Sequence, residues 1–144
     1  MMREKSLSLA ASLDNLSLAR AQLNGFIGSG LSDIDRSRTV LAVDEALANV
    51  IEHGYAGAEG DITLRMSEDD MSFTVVIEDG APPFNPLSRA PIDIDAKLDE
   101  GADGGMGVEV LRRLTEARYE RTDKGGNRLI LRKEKRHEKE DRPD

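Results

Sequence analysis

Glu45, Asn49 and His53 recur at every fourth position of the segment VDEALANVIEHGY, so they are predicted to share one stripe of a helix. Asn is a weak helix former, yet Asn49 is expected in the middle of this helix. Its amide oxygen is a neutral ligand suited to Mg²⁺ that phosphates already hold, and the Glu45 carboxylate one turn away could deprotonate a hydroxyl. The stripe is expected roughly opposite the apolar one, so a solvated helix face is the alternative. His53 is interpreted as structural.

Asp79 ends the apolar stretch of MSFTVVIEDGAPPFNP, at a point where side chains tend to line a cleft. An ionised Asp is only an acceptor, so Asp79 could accept a hydrogen bond from the exocyclic amine of adenine. Guanine has a carbonyl at that position, and Asp79 would therefore discriminate between the two bases. Asp-Gly is also a common turn sequence, and this second interpretation stays open.

The segment GADGGMGVEV places Gly104, Gly105 and Gly107 directly before a predicted amphipathic helix. Glycines let the backbone approach a ligand closely, and a helix N-terminus attracts phosphate. The segment lacks the Lys-Ser/Thr ending of a P-loop, so a flexible connector is the alternative. It overlaps the end of a proline-rich, acidic stretch over residues 80–105 that is typical of a lid, a binding loop or a disordered segment.

Composition limits the function classes. The 144 residues carry a net charge of −8, which argues against tight nucleic-acid binding and suits a partner with a basic surface. The chain has 0 cysteines and 2 histidines, so a disulfide framework or a Cys- or His-rich metal site is not expected. It also shows no apolar run of membrane-spanning length and no signal peptide, and we expect a soluble, cytoplasmic protein without membrane contact.

The pattern of elements predicts the fold class. The order β-α-α-β-β-loop-α-β-β indicates an α+β two-layer sandwich, with helices on one face of a mixed, mainly antiparallel sheet. We expect one domain over residues 1–133 and a charged, disordered tail over residues 134–144. The first predicted elements are a strand from Lys5 to Ala11 and a helix capped by Asp14. The second helix is capped by Asp33, runs from Ile34 to about His53 and ends at Gly54. The remaining elements are strands in DITLRMS and MSFTVVIED, a helix in VEVLRRLTEA, and a hairpin of RYERT and NRLILRK.

Taken together, these motifs resemble the ATP-binding domain shared by gyrases, heat-shock chaperones, histidine kinases and mismatch-repair ATPases, called the GHKL or Bergerat fold. The segments DEALANVIEHGY, DGAPPFNP and GGMGVEVLRRLTEARYERTDKGGNRLILRK look more closely like those of bacterial anti-sigma regulatory factors, which are serine/threonine kinases. The resemblance extends from about Lys5 to Lys133.

The resemblance implies a role for each matching residue. Asn49 would be the Mg²⁺ ligand, Glu45 the catalytic base and Asp79 the adenine anchor. The implied nucleotide-binding set also includes Ala81, Gly104, Gly105, Met106, Gly107 and Val108. The family usually has a glycine where this chain has Ala81, and the methyl group is expected to narrow the adenine pocket or shift the backbone.

The resemblance further implies an ATP- and Mg²⁺-dependent kinase that binds a sigma factor and phosphorylates a serine or threonine of a small STAS-type antagonist. It also implies a homodimer. A binding module that captures its partner without phosphoryl transfer is the alternative. A histidine kinase fragment fits poorly, because His137 lies in the predicted tail.

Overall fold

The computed structural model of the chain describes residues 2–88 and 115–135. The strands are β1 (Arg3–Ala10), β2 (Asp61–Glu68), β3 (Ser72–Asp79), β4 (Glu116–Arg121) and β5 (Asn127–Glu134). The helices are α1 (Leu16–Ile27) and α2 (Asp33–Asn49), with 3₁₀ turns at Leu13–Asn15 and Pro86–Ser88 and a π-helical turn at Val50–Gly54.

The five strands form one sheet in the order β1-β2-β3-β5-β4. All four pairings are antiparallel, so the predicted α+β fold is confirmed, and the described strands contain no parallel pair of the kind that a mixed sheet would have. Asp69 closes the turn between β2 and β3. Its Oδ1 accepts hydrogen bonds from the backbone N–H groups of Met71 at 2.7 Å and Ser72 at 2.8 Å, which is the usual action of Asp in a turn.

The two faces of the sheet differ because successive side chains of a strand point to opposite sides. One face is apolar and packs against α1 and α2 in a single core, which includes Leu9, Ile62, Leu64, Met66, Phe73, Val75, Ile77, Leu129 and Leu131 of the sheet. The other face is polar. There Arg128 pairs with Glu78 at 3.2 Å and with Glu120 at 2.8 Å, and Arg65 also pairs with Glu78.

The helix starts differ from the predicted ones. Ser12 rather than Asp14 is the first cap, because its Oγ accepts from the Asp14 N–H at 3.2 Å and a 3₁₀ turn precedes α1. Ser32 rather than Asp33 caps α2 and accepts from Asp35 N–H at 3.2 Å. In both cases the serine has extended backbone angles, as an N-cap requires, and the aspartate already belongs to the first turn.

Two predicted helix ends are also corrected. The α-helical part of α2 ends at Asn49, and a π-helical turn continues the chain to the predicted end at Gly54. The last two residues of the predicted late helix, Glu116 and Ala117, instead begin β4, and positions 108–114 of that prediction lie outside the described residues. β5 extends to Glu134, and Lys135 pairs with Glu68 at 2.8 Å. The rest of the predicted tail lies outside the described residues, and the helices described are too short or too polar to cross a membrane.

Candidate active site

Asp79 is the last residue of β3 and pairs with the first residue of β5, Asn127. It has the same strand phase as the core residues Val75 and Ile77, so its side chain belongs to the helix-covered face of the sheet. A carboxylate therefore stands at the strand end where the apolar face of the sheet meets solvent.

The Asp79 carboxylate is held through one of its two oxygens. Oδ1 accepts from the Ala81 backbone N–H at 2.9 Å and from Asn127 Nδ2 at 2.9 Å. Partial burial raises the pKa of Asp79 above its ordinary value, and these two hydrogen bonds offset only part of that rise. Oδ2 has no hydrogen-bond partner within residues 2–88 and 115–135, so it is the oxygen left to accept a bond from a ligand.

Asn127 is a site residue that the sequence reasoning missed. Its side chain is buried, with 4% exposed, and its Nδ2 also approaches the carbonyl oxygens of Ala81 at 3.2 Å and Pro82 at 3.0 Å. Its Oδ1 accepts from the Phe84 N–H at 3.0 Å and from the Tyr119 hydroxyl. The sequence does contain a signal for it, because Asn127 is a polar residue at a position of β5 whose side chain faces the buried side of the sheet.

Ala81 belongs to the loop that follows Asp79, and its side chain is 1% exposed. Its backbone has an ordinary negative φ, so this position does not need a glycine for conformational reasons. Its methyl group lies 3.7 Å from where a Cβ on Gly54 would be. The methyl therefore fills space that Gly54 leaves open at the end of the π-helical turn.

The β4–β5 turn ends at Gly126, a position that has no room for a side chain. A Cβ on Gly126 would lie 2.0 Å from the backbone oxygen of Asp79. This distance is far below van der Waals contact, so only glycine lets the turn approach the end of β3 so closely. The close approach brings Asn127 within hydrogen-bond distance of Asp79.

Asn49 is buried rather than on a solvated face, which corrects the expected position of its stripe opposite the apolar one. Its side chain is 5% exposed, and Nδ2 has no hydrogen-bond partner among the residues that the structure describes. An unpaired buried amide group costs about 1–3 kcal/mol. Asn49 is therefore a polar group that would gain a partner from a ligand.

Glu45 lies one turn before Asn49 on α2 and is partly exposed. Burial of its carboxyl raises the pKa of Glu45 above the ordinary value, and the negative charges of Asp44 and Glu52 raise it further. A carboxylate with a raised pKa is a stronger base. Its position suits the acceptance of a proton beside whatever group Asn49 holds.

His53 does not continue the stripe of Glu45 and Asn49. The π-helical turn adds a residue to the turn after Asn49, so the fourfold spacing no longer keeps one face. The His53 side chain is exposed, and its ring centroid lies 6.1 Å from that of Phe84. This position is compatible with the structural interpretation of His53.

The end of α2 and the loop after β3 form one corner of the molecule. The Tyr55 hydroxyl accepts from the Gly80 N–H at 2.9 Å, and Gly54 packs near Ala81 and Phe84. The structure thus brings the segment that directly follows Asn49 against the loop that follows Asp79. The predicted glycine segment Gly104–Val108 lies outside the described residues.

A separate depression lies on the polar face of the sheet, next to the same strand ends. Its lining residues are Asp61, Thr63, Glu78, Asp79, Gly80, Thr122, Asp123, Lys124, Gly126 and Arg128. Glu45 and Asn49 do not line it, and Glu78 and Arg128 pair with each other. This depression therefore shares Asp79 and Gly80 with the corner described above, but not the two α2 residues.

The donor set determines which metal the corner could hold. Within the two described ranges, no three His, Cys, Asp or Glu side chains are grouped as a metal site. A cation would therefore need most of its ligands from elsewhere. This requirement fits Mg²⁺, which commonly takes one or two protein oxygens together with water and substrate phosphates.

Comparison with known proteins gives matches over two thirds or more of the chain. A model of the histidine kinase-like ATPase domain matches residues 9–133. The anti-sigma F factor of Clostridium novyi (strain NT) is 29% identical over 124 residues, covering 83% of this chain and 85% of the relative. That of Clostridium kluyveri is 27% identical over 121 residues, with the same two coverages. The serine/threonine-protein kinase BtrW of Bordetella bronchiseptica is 29% identical over 98 residues, covering 67% of this chain and 68% of the relative.

Proposed function

The chain belongs to the histidine kinase-like ATPase domain family, and on this premise we propose that it is an ATP-dependent serine/threonine kinase that also binds a sigma factor. Its substrate would be a serine or threonine hydroxyl of a small antagonist protein of the STAS type. The observation that carries the proposal is the pair on α2: a carboxylate of raised pKa, Glu45, lies one turn before a buried amide, Asn49, whose Nδ2 has no hydrogen-bond partner among the described residues.

Asp79 would select the base of the nucleotide. Its Oδ1 already accepts two hydrogen bonds, and its Oδ2 is open for the exocyclic amine of adenine. The ionised carboxylate cannot donate to the carbonyl of guanine, so ATP should be preferred to GTP. Ala81 supplies an apolar wall beside this carboxylate, and its buried methyl leaves the backbone of the loop undistorted.

Mg²⁺ fits the corner if ATP phosphates provide most of its ligands. Asn49 would hold it through the amide oxygen, and the unpaired Nδ2 of the same side chain would donate a hydrogen bond to a phosphate oxygen. When bound, the ion would neutralise charge on the phosphates. The segment Gly104–Val108 is proposed to contact the phosphates through its backbone N–H groups, as a glycine-rich helix start can.

Glu45 would act as the general base. The substrate hydroxyl loses its proton to the Glu45 carboxylate while its oxygen forms a bond to the γ-phosphorus of ATP. The bond between that phosphorus and the β–γ bridging oxygen breaks, and ADP leaves. The raised pKa of Glu45 brings its basicity closer to that needed at neutral pH.

The partners are proposed from chemistry and from the names of the relatives. Two relatives are named anti-sigma F factor and one is named serine/threonine-protein kinase. The net charge of −8 suits protein partners with basic surfaces rather than nucleic acid. A homodimer in the cytoplasm is the proposed working form.

Phosphoryl transfer tests the proposal directly. The protein is incubated with γ-labelled ATP, Mg²⁺ and each STAS-type protein encoded near its gene, and transfer of label is followed. Labelled serine or threonine on one of these proteins is the expected result. Binding of ATP and of a partner with no transfer at all would contradict the kinase proposal and favour a non-catalytic, ATP-gated binding module.

A further inference from the structure

Tyr55 connects three segments at the corner of the candidate site. It follows the π-helical turn directly, and its hydroxyl donates to the Asp61 carbonyl oxygen at 2.6 Å. The same hydroxyl accepts from the Gly80 N–H at 2.9 Å. One oxygen atom therefore joins the end of α2, the start of β2 and the turn that begins after Asp79.

The surroundings of Tyr55 keep its ring in one place. The side chain is 9% exposed, and a Cβ on Gly60 would lie 2.2 Å from the ring. Gly60 therefore leaves room for the ring, which is enclosed on that side by backbone. Burial raises the pKa of the Tyr55 hydroxyl, so it stays protonated and able to donate at neutral pH.

From this geometry we infer that Tyr55 is a positioning residue for adenine recognition by Asp79. The Asp79 carboxylate is oriented by Ala81 N–H, two residues later, and Gly80 lies between them. The Gly80 N–H belongs to the peptide that directly follows Asp79, so its hydrogen bond to Tyr55 restrains the backbone between the Asp79 side chain and the Ala81 N–H that orients it. The inference rests on the nucleotide-binding part of the proposed function and not on phosphoryl transfer.

Tyr55→Phe tests this inference because it removes one oxygen atom and keeps the ring. Calorimetric titration with ATP and with GTP should show ATP affinity falling about fivefold, the typical value of the single Asp79–adenine hydrogen bond that depends on this positioning. GTP affinity should fall less, so the preference for ATP should shrink. Equal losses for the two nucleotides, or unchanged ATP affinity, would overturn the inference.

Thr39→Val is the matched control. Thr39 is also buried, and its hydroxyl donates to the Asp35 carbonyl oxygen at 2.8 Å, but it lies in the first half of α2. Its loss should lower the melting temperature without changing the ratio of ATP to GTP affinity. A ratio that changes as much in Thr39→Val as in Tyr55→Phe would mean that general destabilisation is responsible, against the inference.

A second measurement needs no variant and no nucleotide. The Gly80 amide proton should exchange slowly with solvent in the wild-type protein, because the Tyr55 hydroxyl is its acceptor. Exchange at the rate of a free peptide amide would overturn the inference. Wild-type protein that binds ATP but transfers no phosphate would contradict the kinase proposal and leave this inference standing.

Discussion

Asn127 Nδ2 lies 2.9 Å from Asp79 Oδ1, across the last rung of the β3–β5 ladder. The donor is a buried amide that also binds the loop after Asp79, so the carboxylate and its loop are held by the same side chain. The proposed recognition of a base by Asp79 would therefore depend on the register of two strands. Changes at this corner should affect nucleotide selectivity before they affect the fold.

Asp79→Asn should weaken ATP binding by about 1–3 kcal/mol, because the variant replaces an acceptor oxygen with a donor at the position proposed for the adenine amine. The variant keeps the shape of the side chain, so the protein should stay folded. Calorimetry with ATP and GTP measures the change. A variant that retains the full preference for ATP would remove Asp79 from adenine recognition.

Glu45→Gln should lower the rate of phosphoryl transfer by about 10²–10⁴ and leave ATP affinity nearly unchanged. The amide keeps the size of the side chain but cannot take the proton of the substrate hydroxyl. Single-turnover kinetics at saturating ATP measures the rate. Transfer at the wild-type rate would show that Glu45 is not the base.

Glu52→Gln is the control for Glu45→Gln. Glu52 is exposed, and its charge is one of the causes that raise the pKa of Glu45. Its removal should move the acid limb of the pH–rate profile to lower pH and keep the maximal rate. A shift to higher pH would contradict this assignment of the limb.

ATP affinity should fall on acidification at a higher pH than an ordinary aspartate would produce. Only the ionised Asp79 is a pure acceptor, and burial raises its pKa, so the ionised form is lost as pH falls through that raised value. Asn127→Ala removes one bond that lowers this pKa, and the midpoint should move further up. Asp79→Asn should lack this transition. Its pH profile then gives the contribution of the ATP phosphates, which is subtracted from the wild-type profile.

Gly126→Ala should destabilise the fold by about 1–3 kcal/mol, because its Cβ would overlap the backbone oxygen of Asp79. It should also weaken ATP binding. Gly25→Ala is the control, since Gly25 lies within α1 with no atom within 4 Å of a new Cβ. That change should stabilise the protein by about 0.5–1 kcal/mol. Urea unfolding measures the free energy of unfolding of both variants. A Gly126→Ala variant as stable as the wild-type protein would refute the close approach.

Residue patterns were enough to predict most of the fold. Period-two alternation identified the strands, and the apolar stripe identified α2, because these patterns follow directly from which face is buried. The caps were assigned one or two residues too late. A serine precedes the aspartate by one or two residues at both helix starts, and propensity alone does not choose between two good caps.

The candidate site was harder to predict than the fold. Asn49 and Asp79 were identified because their types are unusual at their positions, yet the burial of Asn49 was not foreseen. Tyr55 and Asn127 were missed because their importance comes from contacts with residues 25 and 48 positions away. No local pattern contains that information. The π-helical turn was also unpredictable from a spacing rule that assumes a regular helix.

The placement of the two tyrosines has an optical consequence. The chain contains no tryptophan and only Tyr55 and Tyr119, and both hydroxyls bond to groups that surround Asp79. The tyrosine emission of the protein therefore originates beside the proposed adenine pocket. A change in that emission during a titration or a melt would report events at this corner, and the single-tyrosine variants Tyr55→Phe and Tyr119→Phe would separate its two sides.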